Sequence, residues 1–421
     1  MYDLQRCYKL LEKISFNRVA GSIEETKARE ILKDEIKKIG LRTYEEEFPI
    51  DYSEIKVAKL EVLSPYKKEY EVTGIKMTGC TSEEGIEAPL IYIENADETN
   101  LIDIEGKIVL LNGRMYNKIY KKIIEKKPAG FIALSGSIYD KKDDSDLGLM
   151  SIREADYSLG KIPGVCLREL DGQELVELGA EKVKLTLIQE ESKIMSHNLI
   201  TEIEGTTKKD EIIAFTAHYD SVPFSSGAYD NATGRVGIME LLHHFHENRP
   251  TRTLRFIWCG AEELGLLGSK AYCMKHEEEL NKFLFVLNID MIGVTLGKEI
   301  ACCTSETSLP SYINYLGKEI GVSISAKQGV YSSDSTPFAD KGIPSVSFAR
   351  ISPNGGAEIH SRKDIISPLS PKAFDSSLKI ITTFADRIVN SVCFPIERII
   401  PNNMKEELDY YLLRKERPDK N

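Results

Sequence analysis

The chain has 421 residues and a formal net charge of −11. That length exceeds what one hydrophobic core usually serves, so two domains are expected, and an acidic chain with no evident basic face excludes nucleic acid as a partner, because phosphate binding needs clustered positive charge. No apolar run of about 18 residues is available for a membrane span, and the opening MYDLQRCYKLLEKI lacks the apolar core of a signal peptide, so a cytoplasmic protein with no membrane partner is the expectation.

In chain order, the opening segment reads as a helix. A second follows in SIEETKAREILKDEIKKIG, where Ser22 and Glu25 stand at capping-box spacing, Gly40 provides the stop, and Ala28, Leu32, Ile36 and Ile39 form a stripe expected to pack on the main sheet. From 52 to 190 the texture changes to short β-rich runs such as IKVAKLEVL, APLIYIENA, GKIVLLNG and AGFIALSG, separated by Gly, Pro and acidic turns. The charged stretch around 139 to 148 reads as an exposed loop, and GKIPGVCLRELDGQELVELG as a strand and a short helix. Residues 1–51 and 191–421 are expected to share one sheet domain, with 52–190 inserted into it.

The runs 212 to 217 and 253 to 259 have the length and β-branched content of strands buried on both faces. An amphipathic helix with Val236, Met239 and Leu242 on its apolar face lies between them, which makes a βαβ unit. Further on, NKFLFVLNIDMIG is a buried strand ending in Asp290 and TSLPSYINYLGKEIG a helix. The stretch SSDSTPFADKGIPSVSFAR is read as a turn-rich loop with a strand, and His360 falls in a loop. A helix from about 371 to 391 closes the domain, and the tail from 396 has a short apolar helix and then polar residues expected to fray. Apolar helices near the C-terminus are compatible with a homodimer without requiring one. The eight cysteines contain no CxxC, and are expected to be reduced and mostly structural.

Ligands in open α/β sheets gather outside the carboxyl ends of the strands. His218, Asp220, Asp230, Glu262, Glu263, Asp290 and His360 all fall there. Taken singly, each has a plain structural reading: Asp230 as an N-cap, Glu262 and Glu263 as surface acids, Asp290 as a turn residue, His218 as a satisfied core histidine. His243, His244 and His246 mostly face away from Leu242 and Phe245 and are left as helix-surface residues. Together, so many carboxylates cannot stay ionised in one cleft without cations. Nitrogen and oxygen donors without cysteine suit zinc, or cobalt and manganese as substitutes. Two divalent ions about 3.5 to 4 Å apart repel by roughly 18 kcal/mol at an effective dielectric near 20, so a bridging carboxylate is required, and Asp230 is best placed to be it.

The segments AHYDSVP, GAYDNATG, CGAEELGLLGS, LNIDMIG and EIHSRKD resemble the ligand segments of the M28 family of di-zinc aminopeptidases, in the family's order. The middle unit, with IEGKIVLLNGR, KKPAGFIALSG and KIPGVCLREL, resembles the protease-associated domain that some members insert before the metal strands. The resemblance implies an α/β fold with a mixed sheet flanked by helices, zinc-exopeptidase-like and phosphorylase/hydrolase-like, carrying that β-rich insertion. It implies two zinc ions per chain, His218 and Asp290 on one, Glu263 and His360 on the other, and Asp230 between them. It further implies Glu262 as general base, Asp220 orienting His218, and peptides with a free N-terminus as substrates. Relatives often have a histidine in the loop that here reads SSDSTPF and holds Ser335. Competing readings are a single-zinc glutaminyl cyclase, a carboxypeptidase or dipeptidase using Arg350 or Arg362 for a carboxylate, and a non-catalytic binding scaffold. Asn231 after Asp230 and the EELGLLGS segment favour the peptidase.

Overall fold

The computed structural model describes residues 2–141 and 147–417. The interior of the charged loop expected around 139 to 148, and the last residues of the expected frayed tail, lie outside the described residues. Helices α1 (Leu4–Ile14) and α2 (Ile23–Lys38) open the chain. Asp3 caps α1 by accepting from the N–H groups of Gln5 and Arg6. At α2 the Ser22 hydroxyl accepts from Glu25 N–H at 3.0 Å, while the Glu25 carboxylate reaches one residue further back than a capping box requires and accepts from Gly21 N–H at 2.7 Å.

Then follow β1 (Thr43–Ser64), β2 (Lys68–Tyr70), β3 (Thr73–Gly74), β4 (Ile86–Tyr92), β5 (Ile108–Leu110), α3 (Asn117–Glu125), β6 (Gly130–Ser135), β7 (Gly164–Arg168) and α4 (Glu169–Glu177). After them come β8 (Lys182–Ile203), β9 (Lys208–His218), a tight turn at Ala228–Ala232, α5 (Thr233–Glu247), β10 (Arg252–Cys259), α6 (Leu267–Lys275) and β11 (Phe283–Ile289). The chain closes with β12 (Lys298–Thr304), α7 (Ser308–Ile320), β13 (Ile324–Gln328), α8 (Ser335–Asp340), β14 (Ser345–Ile351), α9 (Pro371–Val389) and α10 (Asn402–Tyr411). Two compact units result, residues 1–50 with 195–421, and residues 51–194.

In the unit 51–194, β4, β5, β6 and β7 pair in parallel, with β3 antiparallel on β7 and the start of β8 antiparallel on β4. Its apolar residues form two clusters. Leu110, Ile132, Leu134 and Leu185 belong to one, and Val109, Tyr120, Phe131 and Ala133 to the other, so successive residues of β5 and β6 are buried on opposite faces.

In the other unit the strand order is β13-β12-β14-β11-β9-β10-β8. The pairs β14–β11, β11–β9 and β9–β10 are parallel, whereas β12–β14 and β10–β8 are antiparallel, which makes the sheet mixed. Strand β9 shows why the sequence run is apolar throughout. Ile213, Phe215 and Ala217 join the core built by α1, α2, α5 and α9, while Ile212 and Ala214 join a second core with Tyr272, Phe283 and Phe338 on the opposite face. Phe215 stacks on Phe256 of β10 with centroids 4.9 Å apart, and burial of each such ring contributes about 1.5–3 kcal/mol. Ala28, Leu32 and Ile36 of α2 lie in the first core with Ile39 packed at its edge, as their stripe predicts. Two features depart from the expectation: β12 and β13 extend the sheet beyond β14, and the stretch after Asp334 forms the short helix α8 instead of a loop. All eight cysteines are free, and Cys7, Cys166, Cys259, Cys273 and Cys303 are buried.

Candidate metal centre

Strand β9 lies between β10 and β11, so the chain crosses to one side of it and then to the other. A crevice at the carboxyl ends is the geometric result of such a reversal. Strand β9 ends at His218, with Asp220 just beyond it. Strand β10 ends at Cys259, in register with His218, and Glu262 and Glu263 follow. Strand β11 ends at Ile289, immediately before Asp290, and the loop after β14 carries His360. Ala261, Met291 and His360 itself have φ of 52°, 61° and 58°, a costly left-handed conformation for residues with a side chain, each in or beside a segment that carries one of these acids or imidazoles.

Asp230 is the centre of the arrangement. Its Oδ1 is 3.1 Å from His218 Nε2, and its Oδ2 is 3.1 Å from His360 Nε2. Asp290 Oδ1 is 3.7 Å from His218 Nε2, and Glu263 Oε2 is 3.1 Å from His360 Nε2. Among the described residues, three overlapping groups bring their donor atoms within 4.8 Å: His218, Asp230 and Asp290; Asp230, Glu263 and His360; and His218, Glu262 and Glu263. His243, His244 and His246 belong to none of them, and His244 instead pairs with Asp386 at 2.8 Å.

Burial sets the electrostatics. It pushes Glu262 well above the usual carboxylate range, opposed by the charge of His218 and reinforced by that of Glu263; Glu263 and Asp290 are raised by burial as well. At Asp230 burial works against ionisation, but the imidazoles of His218 and His360 hold its carboxyl below the ordinary range. Burial works against protonation of His360, yet Asp230 and Glu263 carry it up to about 11. The protein thus gathers more acid than its own two imidazoles can balance. Glu263 Oε1 and Asp290 Oδ1 are buried without a hydrogen-bond donor, and a divalent cation suits such oxygen and nitrogen atoms.

Asp220 is fully buried, and its strongest contacts are not to the imidazole. Its Oδ1 accepts from Glu262 N–H at 3.1 Å and its Oδ2 from Glu263 N–H at 3.2 Å, while His218 Nδ1 stands 3.5 Å away. Asn231, joined to Asp230 by a cis peptide bond, donates from Nδ2 to Ile289 C=O at 3.0 Å. Its Oδ1 accepts from Gly234 N–H at 2.7 Å and Met291 N–H at 3.2 Å. The residue after Asp230 thereby fastens the strand end that carries Asp290. Gly234 is required by closeness, since a Cβ there would stand 2.1 Å from Ile289 C=O; at Gly268 it would stand 2.3 Å from Gly260 C=O, ahead of Glu262.

The hydroxyl of Ser335 is engaged within a cluster of serines. The residue is buried, and the hydroxyl bonds to Ser333 and Ser347 at 3.0 Å each. Arg350, a candidate for binding a substrate carboxylate, is engaged with Glu299 at 2.9 Å and with the carbonyl of Val294 at 2.7 Å. Asp334 was not foreseen from the sequence. Burial pushes its carboxyl up to about 7, opposed by the charge of His218 and reinforced by those of Asp220 and Asp290.

The model of peptidase family M28 matches residues 198–385, which hold every donor described above. Aminopeptidase YwaD of Bacillus subtilis is 31% identical over 344 residues, covering 79% of this chain and 71% of that protein. The solved structure of BSAP, described as a zinc aminopeptidase from Bacillus subtilis, superposes with a TM-score of 0.77 at 25% identity over 95% of this chain and 99% of its own. A glutaminyl cyclase from an Acidobacteriales bacterium shares the fold at a TM-score of 0.52 and 14% identity over 92% of this chain and 95% of that one. With the donors at the strand ends, the sheet order and a relative of this identity and coverage in agreement, the chain belongs to peptidase family M28.

Proposed function

We propose that the protein is a zinc-dependent aminopeptidase that removes N-terminal residues from peptides, with two zinc ions per chain. His218 and Asp290 would hold one, Glu263 and His360 the other, and Asp230 would serve both. The observation that carries the reading is the division of labour at Asp230, where each carboxylate oxygen faces a different imidazole at 3.1 Å. Bound zinc supplies Lewis acidity, lowering the pKa of a water and polarising the scissile carbonyl. Glu262 is the general base: it takes the proton of the attacking water and returns it to the departing amine, and its burial raises its affinity for that proton. Asp220 fixes the Glu262–Glu263 turn through both backbone N–H groups, so the base and its neighbour keep separate directions. The surplus of carboxylates favours a substrate that presents a positively charged α-amine. Similarity to YwaD and BSAP supports the same specificity. Residues 52–190 are read as an inserted protease-associated-like domain, supported by their separate apolar clusters.

The test compares aminoacyl-arylamides with free and acetylated N-termini, alongside an N-terminal glutamine substrate assayed for cyclisation. Turnover of the free form alone is expected. Equal turnover of the acetylated form would overturn exopeptidase polarity, and cyclisation without hydrolysis would assign the site to the cyclase chemistry.

A further inference from the structure

We propose that Asp364 is a positioning residue that presents Asp230 to the metal centre and ties its placement to that of His360. This rests on the reading of Asp230 and His360 as zinc ligands. Asp364 is 1% exposed. Its Oδ1 accepts from the backbone N–H of Tyr229 at 2.7 Å and its Oδ2 from that of Asp230 at 3.2 Å. Its own carbonyl accepts from the Ser226 hydroxyl, and its N–H donates to Ser361 C=O at 3.1 Å, which closes the loop that starts at His360. One short loop therefore provides both an imidazole and the acceptor that fixes the backbone of the carboxylate opposite it.

The arrangement repeats the one at Asp220, whose two oxygens accept from the consecutive N–H groups of Glu262 and Glu263. In each case a buried carboxylate outside the donor groups holds the main chain of a donor residue through paired N–H bonds. From the other side Arg18, fully buried, donates to the carbonyls of Tyr219 and Gly227 at 2.7 and 2.9 Å and also to Ser226 C=O. The turn before Asp230 is thus gripped by its carbonyls on Arg18 and by its amides on Asp364. Without Asp364 the amides of Tyr229 and Asp230 lose their acceptor, and Asp230 loses the restraint that aims its two oxygens apart. Partners one bond removed from a ligand typically alter metal affinity 10- to 100-fold.

Zinc affinity of the full-length protein, measured by competition with a chromophoric chelator, tests this in wild type, Asp364→Asn, Asp364→Ala and Ser377→Ala. Thermal unfolding of the metal-free proteins is recorded in parallel. Asparagine has a single carbonyl oxygen and keeps one of the two bonds, so a graded loss is expected, intermediate for Asp364→Asn and about 10- to 100-fold for Asp364→Ala. Ser377, buried and bonded to Glu299, reports general destabilisation, and its variant should keep wild-type zinc affinity even with a lowered melting temperature. Should Asp364→Ala not fold, the loss in the near-isosteric Asp364→Asn is read alone. Wild-type affinity in the Asp364 variants overturns the proposal while leaving the zinc reading intact. So does a loss matched by Ser377→Ala at equal destabilisation. A wild-type protein that binds no zinc overturns the zinc reading and this proposal together.

Discussion

Replacing Glu262 and Glu263 by glutamine, one at a time, separates two roles that adjacency in the chain leaves entangled. Asp220 holds the backbone N–H of both, so neither substitution removes the support of the turn. Glu263 Oε2 is 3.1 Å from His360 Nε2, within the donor group that includes Asp230, whereas Glu262 is grouped only with His218 and Glu263. If Glu262 is the base, Glu262→Gln keeps the side-chain shape and the zinc content but cannot accept a proton. Turnover should then fall by roughly 10² to 10⁴, equivalent to about 2.7–5.4 kcal/mol of barrier. On the two-zinc reading, Glu263→Gln should instead lose one ion. Elemental analysis after gel filtration gives the stoichiometry, and steady-state hydrolysis of an aminoacyl-arylamide gives kcat. A Glu262→Gln protein that keeps near-full activity, or that loses an ion while Glu263→Gln keeps both, would refute the assignment.

Chelation should abolish hydrolysis and lower the melting temperature, because the ions bind the folded state and their carboxylates repel one another without them; added zinc should restore both, and an unchanged melting temperature would contradict the fit of the donor set. Phe215→Ala should destabilise by about 3–5 kcal/mol, since the ring is fully buried against Phe245 and Phe256; a loss below about 1 kcal/mol in chemical denaturation would contradict the packing. Glu46 provides a pH dependence. Partial burial works against its ionisation, but His276 Nε2 at 2.8 Å prevails and its pKa lies below the ordinary value. Its contribution is therefore present above the unfolded-state pKa of about 4.3 and disappears as pH falls through the lower folded value. Glu46→Gln should flatten the decline in melting temperature below about pH 5, and identical slopes would dismiss the pair as a contributor.

Strands buried on both faces announce themselves as unbroken apolar runs, which is why β9, β10 and β11, and the acids and imidazoles that follow them, were legible in the sequence. The two strands at the β13 end of the sheet were not. KEIACCT and ISAKQ mix charges with small residues and lack the apolar run of a central strand. The helix α8 is only six residues long, and Pro337 in SSDSTPF resembles turn chemistry as much as the first turn of a helix. Asp220 was recognised as part of the site, yet its main partners are amides on another loop, which no spacing encodes. Asp364 and Arg18 escape for the same reason. An acid in HSRKD and an arginine in FNRVAGS look like surface charges until the chain brings Tyr229 N–H and Gly227 C=O to them.

The interleaving of the two units bears on how the chain matures. Residues 1–50 are made before 51–194, but most of the core that α1 and α2 join, and the carbonyls of Tyr219, Ser226 and Gly227 that Arg18 grips, come from beyond residue 195. While 51–194 is being made, Leu10, Leu11, Leu32 and Ile36 have no native surface to cover them. Such long-range closure slows folding and leaves apolar surface open to misassembly. The unit 51–194 finds its sheet partners within itself, such as β7 for β3 and β8 for β4, so the order of synthesis favours completing the inserted unit first and the peptidase unit only after Asp364 and α9 have emerged.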